Sequence, residues 1–191
     1  EESMETVGKL RELHPTAAQP TCPPMTALPG SIDISPDMVE AALYGFPRDS
    51  AAGPSLLRAQ HLKEALTPAS KGSFLEQLAA AMQLAARGDV PQSMAPYMAG
   101  AALMALVKDN GGVRPIAVGE VFRRLVGKCL CASVKEDAQQ YFHPLQVGVA
   151  TPLGVEAAVH SARSWMQRAA PGKGLLKLDF RNAFNIVSRD V

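Results

Sequence analysis

The sequence predicts a helix-rich α+β fold from three features. Apolar residues recur at helical spacing in several segments between residues 35 and 169. Two apolar runs, Ala101 to Val107 and Val113 to Val118, flank Lys108-Asp109-Asn110-Gly111-Gly112, whose Asn-Gly and Gly-Gly steps supply the positive φ angles of a tight β-hairpin turn. A shorter apolar run, Leu175 to Leu178, is opened by Gly172 and Gly174 and reads as a buried strand that carries Asp179 at its end.

Composition bounds what such a chain does. With 191 residues, 47% hydrophobic and 19% charged, it suffices for one domain with a real core or for one and a half lobes of something larger, and wholesale disorder is excluded. No apolar run approaches the ~20 residues that cross a bilayer. The start, Glu1-Glu2-Ser3-Met4-Glu5, is acidic and has none of the charge and apolar pattern of a secretory signal. Cys22, Cys129 and Cys131 are odd in number, so a disulfide framework is not expected and the setting reads as intracellular, cytoplasm and nucleus being equally compatible. Cys129-x-Cys131 lacks the spacing and the second pair of a zinc site, which makes these core or helix-face cysteines. Residues 1–50 carry eight acidic and three basic side chains, so the positive excess lies in the remainder; it permits a nucleic-acid partner without demanding one.

Taken in order, residues 1–34 read as an extended linker, interrupted by Pro15, Pro20, Pro23, Pro24 and Pro29. Ser35-Pro36-Asp37 is a helix start, a capping serine followed by proline in the first turn, with Met38, Val39, Ala42, Leu43 and Phe46 on one face and Pro47 as the stop. Ser50 to Pro54 is a turn leading directly into a second helix marked by Leu56, Leu57, His61, Leu62 and Leu66. Gly53 there admits a close backbone approach, and free amides at the following helix start suit a phosphate; an ordinary inter-helix loop fits the same residues. His61 has no partner at ligand spacing and reads as a packed helix residue. Phe74, Leu75, Leu78, Ala79, Met82, Leu84 and Ala85 mark a third helix that ends near Gly88, with the methionines as core filler.

Beyond the hairpin, a long helix is expected from Glu120, with Val121, Phe122, Leu125, Val126, Cys129, Leu130 and Val134 inward and Pro144 as its end. A further helix, about Pro152 to Ala169, carries Val155, Ala158, Val159, Ala162 and Trp165.

Two places carry charge suited to chemistry. Lys108 ends one hairpin strand and Arg114 opens the next, so a tight turn brings a point charge and a planar fork to neighbouring positions that suit a triphosphate. Asp179, at a strand end, suits a hard divalent cation, and equally suits the cap of a following helix.

Leu178-Asp179-Phe180-Arg181-Asn182-Ala183-Phe184-Asn185 closely resembles the first catalytic motif of reverse transcriptases, especially those of non-LTR retrotransposons. Ser50-Ala51-Ala52-Gly53-Pro54-Ser55, Lys108 to Lys128 and Gln146 to Gly154 resemble further elements of that family, in the family's order. The resemblance covers residues 35–191. It implies helix-rich fingers, a hairpin, and the first strand of a polymerase palm, an incomplete right-hand fold.

It also implies roles. Asp179 and the backbone carbonyl of Phe180 would hold Mg2+ or Mn2+, with Asp179 as the catalytic acid. Lys108, Arg114 and Gln146 would bind the incoming nucleotide, and Phe184 would exclude a ribose 2′-hydroxyl. Gly53 and Pro54 would hold the template. Arg123, Arg124 and Lys128 share part of a helix face, which reads as template-backbone contact or as a solvated surface. Val147 stands where the family has an aromatic residue, a departure that bears on Gln146.

The implied partners are an RNA template, a DNA primer and deoxynucleoside triphosphates, with no membrane. The family's aromatic-x-Asp-Asp element is absent from these 191 residues, and so is the rest of the palm and the thumb. Two metal ions need more than one carboxylate, so the chain alone is expected to be inactive. The alternative is a non-catalytic nucleic-acid-binding or interaction module derived from such a polymerase. An unpaired strand at Leu175 to Leu178 is further expected to favour self-association.

Overall fold

In the computed structural model, residues 3–14, 30, 32–180 and 183 are described. Among them are eight α-helices and one two-stranded antiparallel sheet, a helix-rich α+β architecture. The helices are α1 (Met4–Leu13), α2 (Pro36–Tyr44), α3 (Ala59–Glu64), α4 (Lys71–Arg87), α5 (Ala95–Ala99), α6 (Val121–Ser133), α7 (Lys135–Phe142) and α8 (Gly154–Arg168). Strands β1 (Ala101–Val107) and β2 (Val113–Gly119) lie between α5 and α6.

The local signals explain most of these elements. Ser35 caps α2 by accepting the Met38 amide at 3.2 Å, Pro36 opens its first turn, and Val39 and Leu43, one turn apart, are both buried. Helix α4 buries Leu75, Leu78, Ala79 and Met82, a single stripe, and stops at Gly88, which takes a left-handed φ of 77°. Helix α6 buries Val121, Leu125, Val126 and Cys129.

Residues 4–13 correct the extended reading of the N-terminal segment. Ser3 accepts the Thr6 amide at 3.1 Å, and Lys9 pairs with Glu5 one turn away at 2.6 Å, so cap and ion pair favour helix. Helix α1 lies against β2, which ties it to the first compact unit. The chain divides into two compact units between Leu130 and Cys131.

The first unit holds the core. Fourteen hydrophobic residues between Ile34 and Cys129 are buried in one cluster, contributed by α2, α3, α4, α6 and the segments that lead into them. Helix α2 packs against α3 and α4, and the Lys71–Glu40 ion pair at 2.6 Å joins α4 to α2. Gln83 of α4 pins the lead-in to α2: its amide nitrogen donates to the Ile32 carbonyl at 3.0 Å and its oxygen accepts the Ile34 amide at 2.6 Å. Two backbone groups outside any ladder are thereby satisfied.

The second unit starts at Cys131. The long helix expected from Glu120 to Pro144 is interrupted at Val134, giving α6 and α7. Helix α7 has no buried residue, and α8 buries only Gly154, at which a Cβ would collide with the Val147 carbonyl. Leu175 to Leu178 form no strand, which corrects the buried-strand reading: Leu175, Leu176 and Leu178 are all exposed, Leu176 by 81%. A strand is fixed by the ladder it joins, and among the described residues none pairs with this segment.

No helix among the described residues is long and apolar enough to cross a membrane.

Candidate nucleic-acid interface

The hairpin has the register its sequence implies, with Leu106 opposite Arg114 and Val107 opposite Val113. Its loop closes in two bonds: the Gly111 amide donates to the Lys108 carbonyl at 2.9 Å, and the Lys108 amide to the Gly112 carbonyl at 2.8 Å. Gly111 sits at φ 74°, the left-handed residue that a three-residue hairpin loop requires at its end. Asn110 accepts the Gly112 amide on its side-chain oxygen at 3.1 Å and so stiffens the turn.

This geometry places Lys108 and Arg114 as diagonal neighbours on one face. Both line an open groove of about 490 Å³, together with Leu106, Val107, Asp109 and Asn110. Neither cation is ion-paired with a carboxylate of the described residues. Leu103, Met104, Leu106 and Val107 are exposed, so the ribbon projects from the core rather than joining it.

At the base of the hairpin a buried carboxylate organises the neighbouring loop. Glu120, only 5% exposed, accepts two bonds from Ser55, the amide at 2.7 Å and the hydroxyl at 2.6 Å. Its own amide donates to the Gly100 carbonyl just ahead of β1, at 3.3 Å. Gly53 completes the fit, since a Cβ there would lie 2.8 Å from the Glu120 Cα and 2.9 Å from the Gly119 carbonyl oxygen. The close approach foreseen at Gly53 is thus made to the chain's own backbone at the β2–α6 junction.

The helix expected to start at Pro54 starts instead at Ala59. Leu56 takes a left-handed φ of 63° and is exposed, and the Ser55–Glu120 bonds hold the preceding backbone out of helical register. Helix-start amides therefore do not adjoin Gly53 and Pro54, and with only six residues α3 offers little dipole.

The three α6 cations reach back to carbonyls at the end of α5 and in two earlier loops. Arg123 donates to Ala99 at 2.7 Å, Arg124 to Ala51 at 2.6 Å and Lys128 to Gly45 at 3.1 Å. Arg124 and Lys128 also lie over the buried Phe46 ring, at 5.1 and 4.9 Å from its centre. Each side chain thus fastens loop to helix while keeping further donors, so the choice between template contact and solvated face gains a third role. Pro54 is exposed beside this array.

Comparison with protein-family models, curated proteins and solved structures gave no match.

The remaining sequence-predicted positions belong to the second unit or lie outside the described residues. Gln146 folds onto its own loop, its side-chain oxygen accepting the amides of Gly148 and Val149, the latter at 3.0 Å. Asp179 and Phe180 lie in an exposed segment without regular structure. Phe184, with Arg181, Asn182 and Asn185, falls outside the described residues. Among the described residues no three His, Cys, Asp or Glu side chains come together to hold a metal ion, so Asp179 offers a single ligand for Mg2+ or Mn2+.

Burial pushes the Cys129 thiol above its ordinary value of 9.0, the opposite of what a metal-bound thiolate needs, while Cys131 is exposed. Sequence reasoning missed the Glu120 clamp because its partner is 65 residues away. The only local signal was an acid standing between the last strand residue and an apolar helix.

Proposed function

We propose that this chain is the fingers and the beginning of the palm of an RNA-directed DNA polymerase of non-LTR retrotransposon type. The parent reaction adds deoxynucleotides to a primer on an RNA template. The observation that carries the reading is the hairpin: Lys108 and Arg114, not ion-paired with carboxylates, flank one groove on a ribbon that projects from the core. An ammonium and a guanidinium so placed match the phosphate oxygens of a triphosphate. The motif order along the sequence supports the same reading.

The test is nucleotide binding. Photolabelling of the purified chain with an azido-deoxynucleoside triphosphate is expected to mark the peptide that contains Lys108 to Arg114. Lys108→Ala and Arg114→Ala are each expected to weaken binding roughly tenfold, the scale of one charge-assisted hydrogen bond. Labelling that ignores both substitutions overturns the assignment.

A second reading is favoured by one observation. Asp179 stands on an exposed segment that no described strand supports. A non-catalytic module that binds nucleic acid through the hairpin and α6 has no need of that carboxylate. Primer extension on a primed RNA template with Mg2+ is expected from this chain under neither reading, and robust extension abolished by Asp179→Asn would exclude the non-catalytic module.

A further inference from the structure

A second groove lies on the first unit, distinct from the one the hairpin lines. It has a volume of about 710 Å³ and is lined by Tyr44, Phe46, Arg48, Gln60, Lys63 and Glu64. Its chemistry is mixed in a particular way. Tyr44, the last residue of α2, is 60% exposed, and its hydroxyl has no hydrogen-bond partner among the described residues. A ring left open on the wall of a groove offers a face on which a planar group can stack. Phe46, two residues on, is buried and forms the floor.

Two cations of the lining, Lys63 and Arg48, stand beside this floor. Lys63 donates to the Phe46 carbonyl at 3.0 Å and sits 6.0 Å from the centre of the Tyr44 ring. Arg48 stands exposed on the rim, while Arg124 and Lys128 lie over the Phe46 ring without lining the groove. None of the four is ion-paired with a carboxylate of the described residues, whereas Lys9, Lys71 and Arg87 of the same unit each have one. Glu64, the acid of the lining, accepts from Gln60 at 3.1 Å, a helix-surface bond that leaves Gln60 on the same wall.

An exposed aromatic ring flanked by cations without carboxylate partners is the combination that binds single strands: a base stacks on the ring, and flanking phosphates meet the cations. An acidic peptide would use the cations but not the ring, and an apolar partner would leave the cations unpaired. We propose that the Tyr44 groove is a stacking subsite for single-stranded RNA, with one base on Tyr44 and adjacent phosphates on Arg48 and Lys63. It rests on the nucleic-acid reading above and adds a place on the fingers, at the end of α2, where the strand is held.

The experiment is fluorescence anisotropy of a labelled 12-nucleotide single-stranded RNA with the native chain and with variants, at 50 and 200 mM salt. Tyr44→Ala is expected to weaken binding about tenfold, within the range of one stacked base, and Tyr44→Phe to bind as the native chain does. Arg48→Ala is expected to lower the slope of log affinity against log salt by about 0.7, one phosphate on a single strand. Native affinity in Tyr44→Ala, an equal loss in Tyr44→Phe, or no RNA binding by the native chain overturns the proposal.

A second measurement needs no variant to fold. A 4-thiouridine RNA crosslinked to the native chain is expected to mark the peptide containing Tyr44, and crosslinks confined elsewhere overturn the assignment. The hairpin is judged separately by nucleotide photolabelling, so failure of this groove and failure of the polymerase reading are distinguishable.

Discussion

Helices α4 and α8 are of similar length, 17 and 15 residues, and both carry apolar side chains at helical spacing. Their fates differ. Helix α4 buries Leu75, Leu78, Ala79 and Met82, whereas α8 leaves Val155, Val159, Trp165 and Met166 exposed and buries only Gly154. The difference lies in what faces them: α4 meets α2 and the cluster between Ile34 and Cys129, while α7 of the second unit buries nothing. An apolar stripe specifies that a helix will form; burial depends on opposing elements, and most helical stability in proteins comes from that packing. The cooperative stability of the chain therefore resides in the first unit, and the second is expected to open at lower free energy.

The largest contrast should come from truncating one side chain in each unit. Leu125 is fully buried in α6, and Leu125→Ala is expected to cost about 2–5 kcal/mol, transfer loss plus cavity. Trp165→Ala removes a larger side chain, yet at 40% exposure on α8 it should cost less than Leu125→Ala. Denaturant unfolding followed by far-UV circular dichroism measures both. Equal losses would mean that α8 is as well packed as α6, and the comparison would fail.

Glu120 gives the next largest effect. Glu120→Ala removes the acceptor for both Ser55 donors at a buried position, and the expected loss is about 2 kcal/mol. Glu120→Gln keeps one acceptor oxygen and should fall between alanine and native. If hydrogen exchange around residues 50–55 rises in the alanine variant while α4 stays protected, the clamp is local; a uniform rise would assign it to the whole unit.

Much of the first unit was legible in the sequence because its signals are local. Ser35-Pro36 starts α2, Gly88 ends α4, and Asn110-Gly111 turns the hairpin, each through the residue types it contains. The features missed depend on distance or on partners. The break at Val134 divides one periodic pattern, and nothing in that pattern marks it. Leu56 has the apolar spacing of a helix residue, but bonds from Ser55 to Glu120 hold the chain out of helix there. Leu175 to Leu178 has the composition of a strand without a ladder to join among the described residues. The candidate site divides in the same manner. Lys108 and Arg114 come together through a short-range turn, while the carbonyl partners of Arg124 and Lys128 lie 73 and 83 residues away and could not be read from spacing.

Two cysteines report on the unit boundary from its two sides. Cys129 is buried and donates to the Met38 carbonyl at 3.8 Å, while Cys131, two residues on, is exposed. Alkylation under native conditions, read by peptide mass spectrometry, should modify Cys131 first and reach Cys129 only as denaturant unfolds the first unit. Simultaneous modification would mean that α6 frays as far as Cys129, and the core would have to be drawn smaller.

The smallest expected effect is a dependence on pH that the same buried thiol introduces. Desolvation raises the Cys129 value above its ordinary 9.0, so well below that value the thiol is protonated in both folded and unfolded chains and favours neither. Above 9.0 the unfolded chain releases the proton while the folded chain retains it. The folded state then binds more protons, and stability falls with rising pH until the raised folded value is passed. Lys71, lifted above its ordinary 10.5 chiefly by its hydrogen bond to Glu40, loses its contribution in the same direction but only at still higher pH. Thermal melts at pH 8 and pH 10 should therefore show a decrease, and Cys129→Ala, though less stable at both, should show a smaller one. An unchanged slope in that variant would move the origin of the alkaline loss out of the core and onto groups nearer the surface.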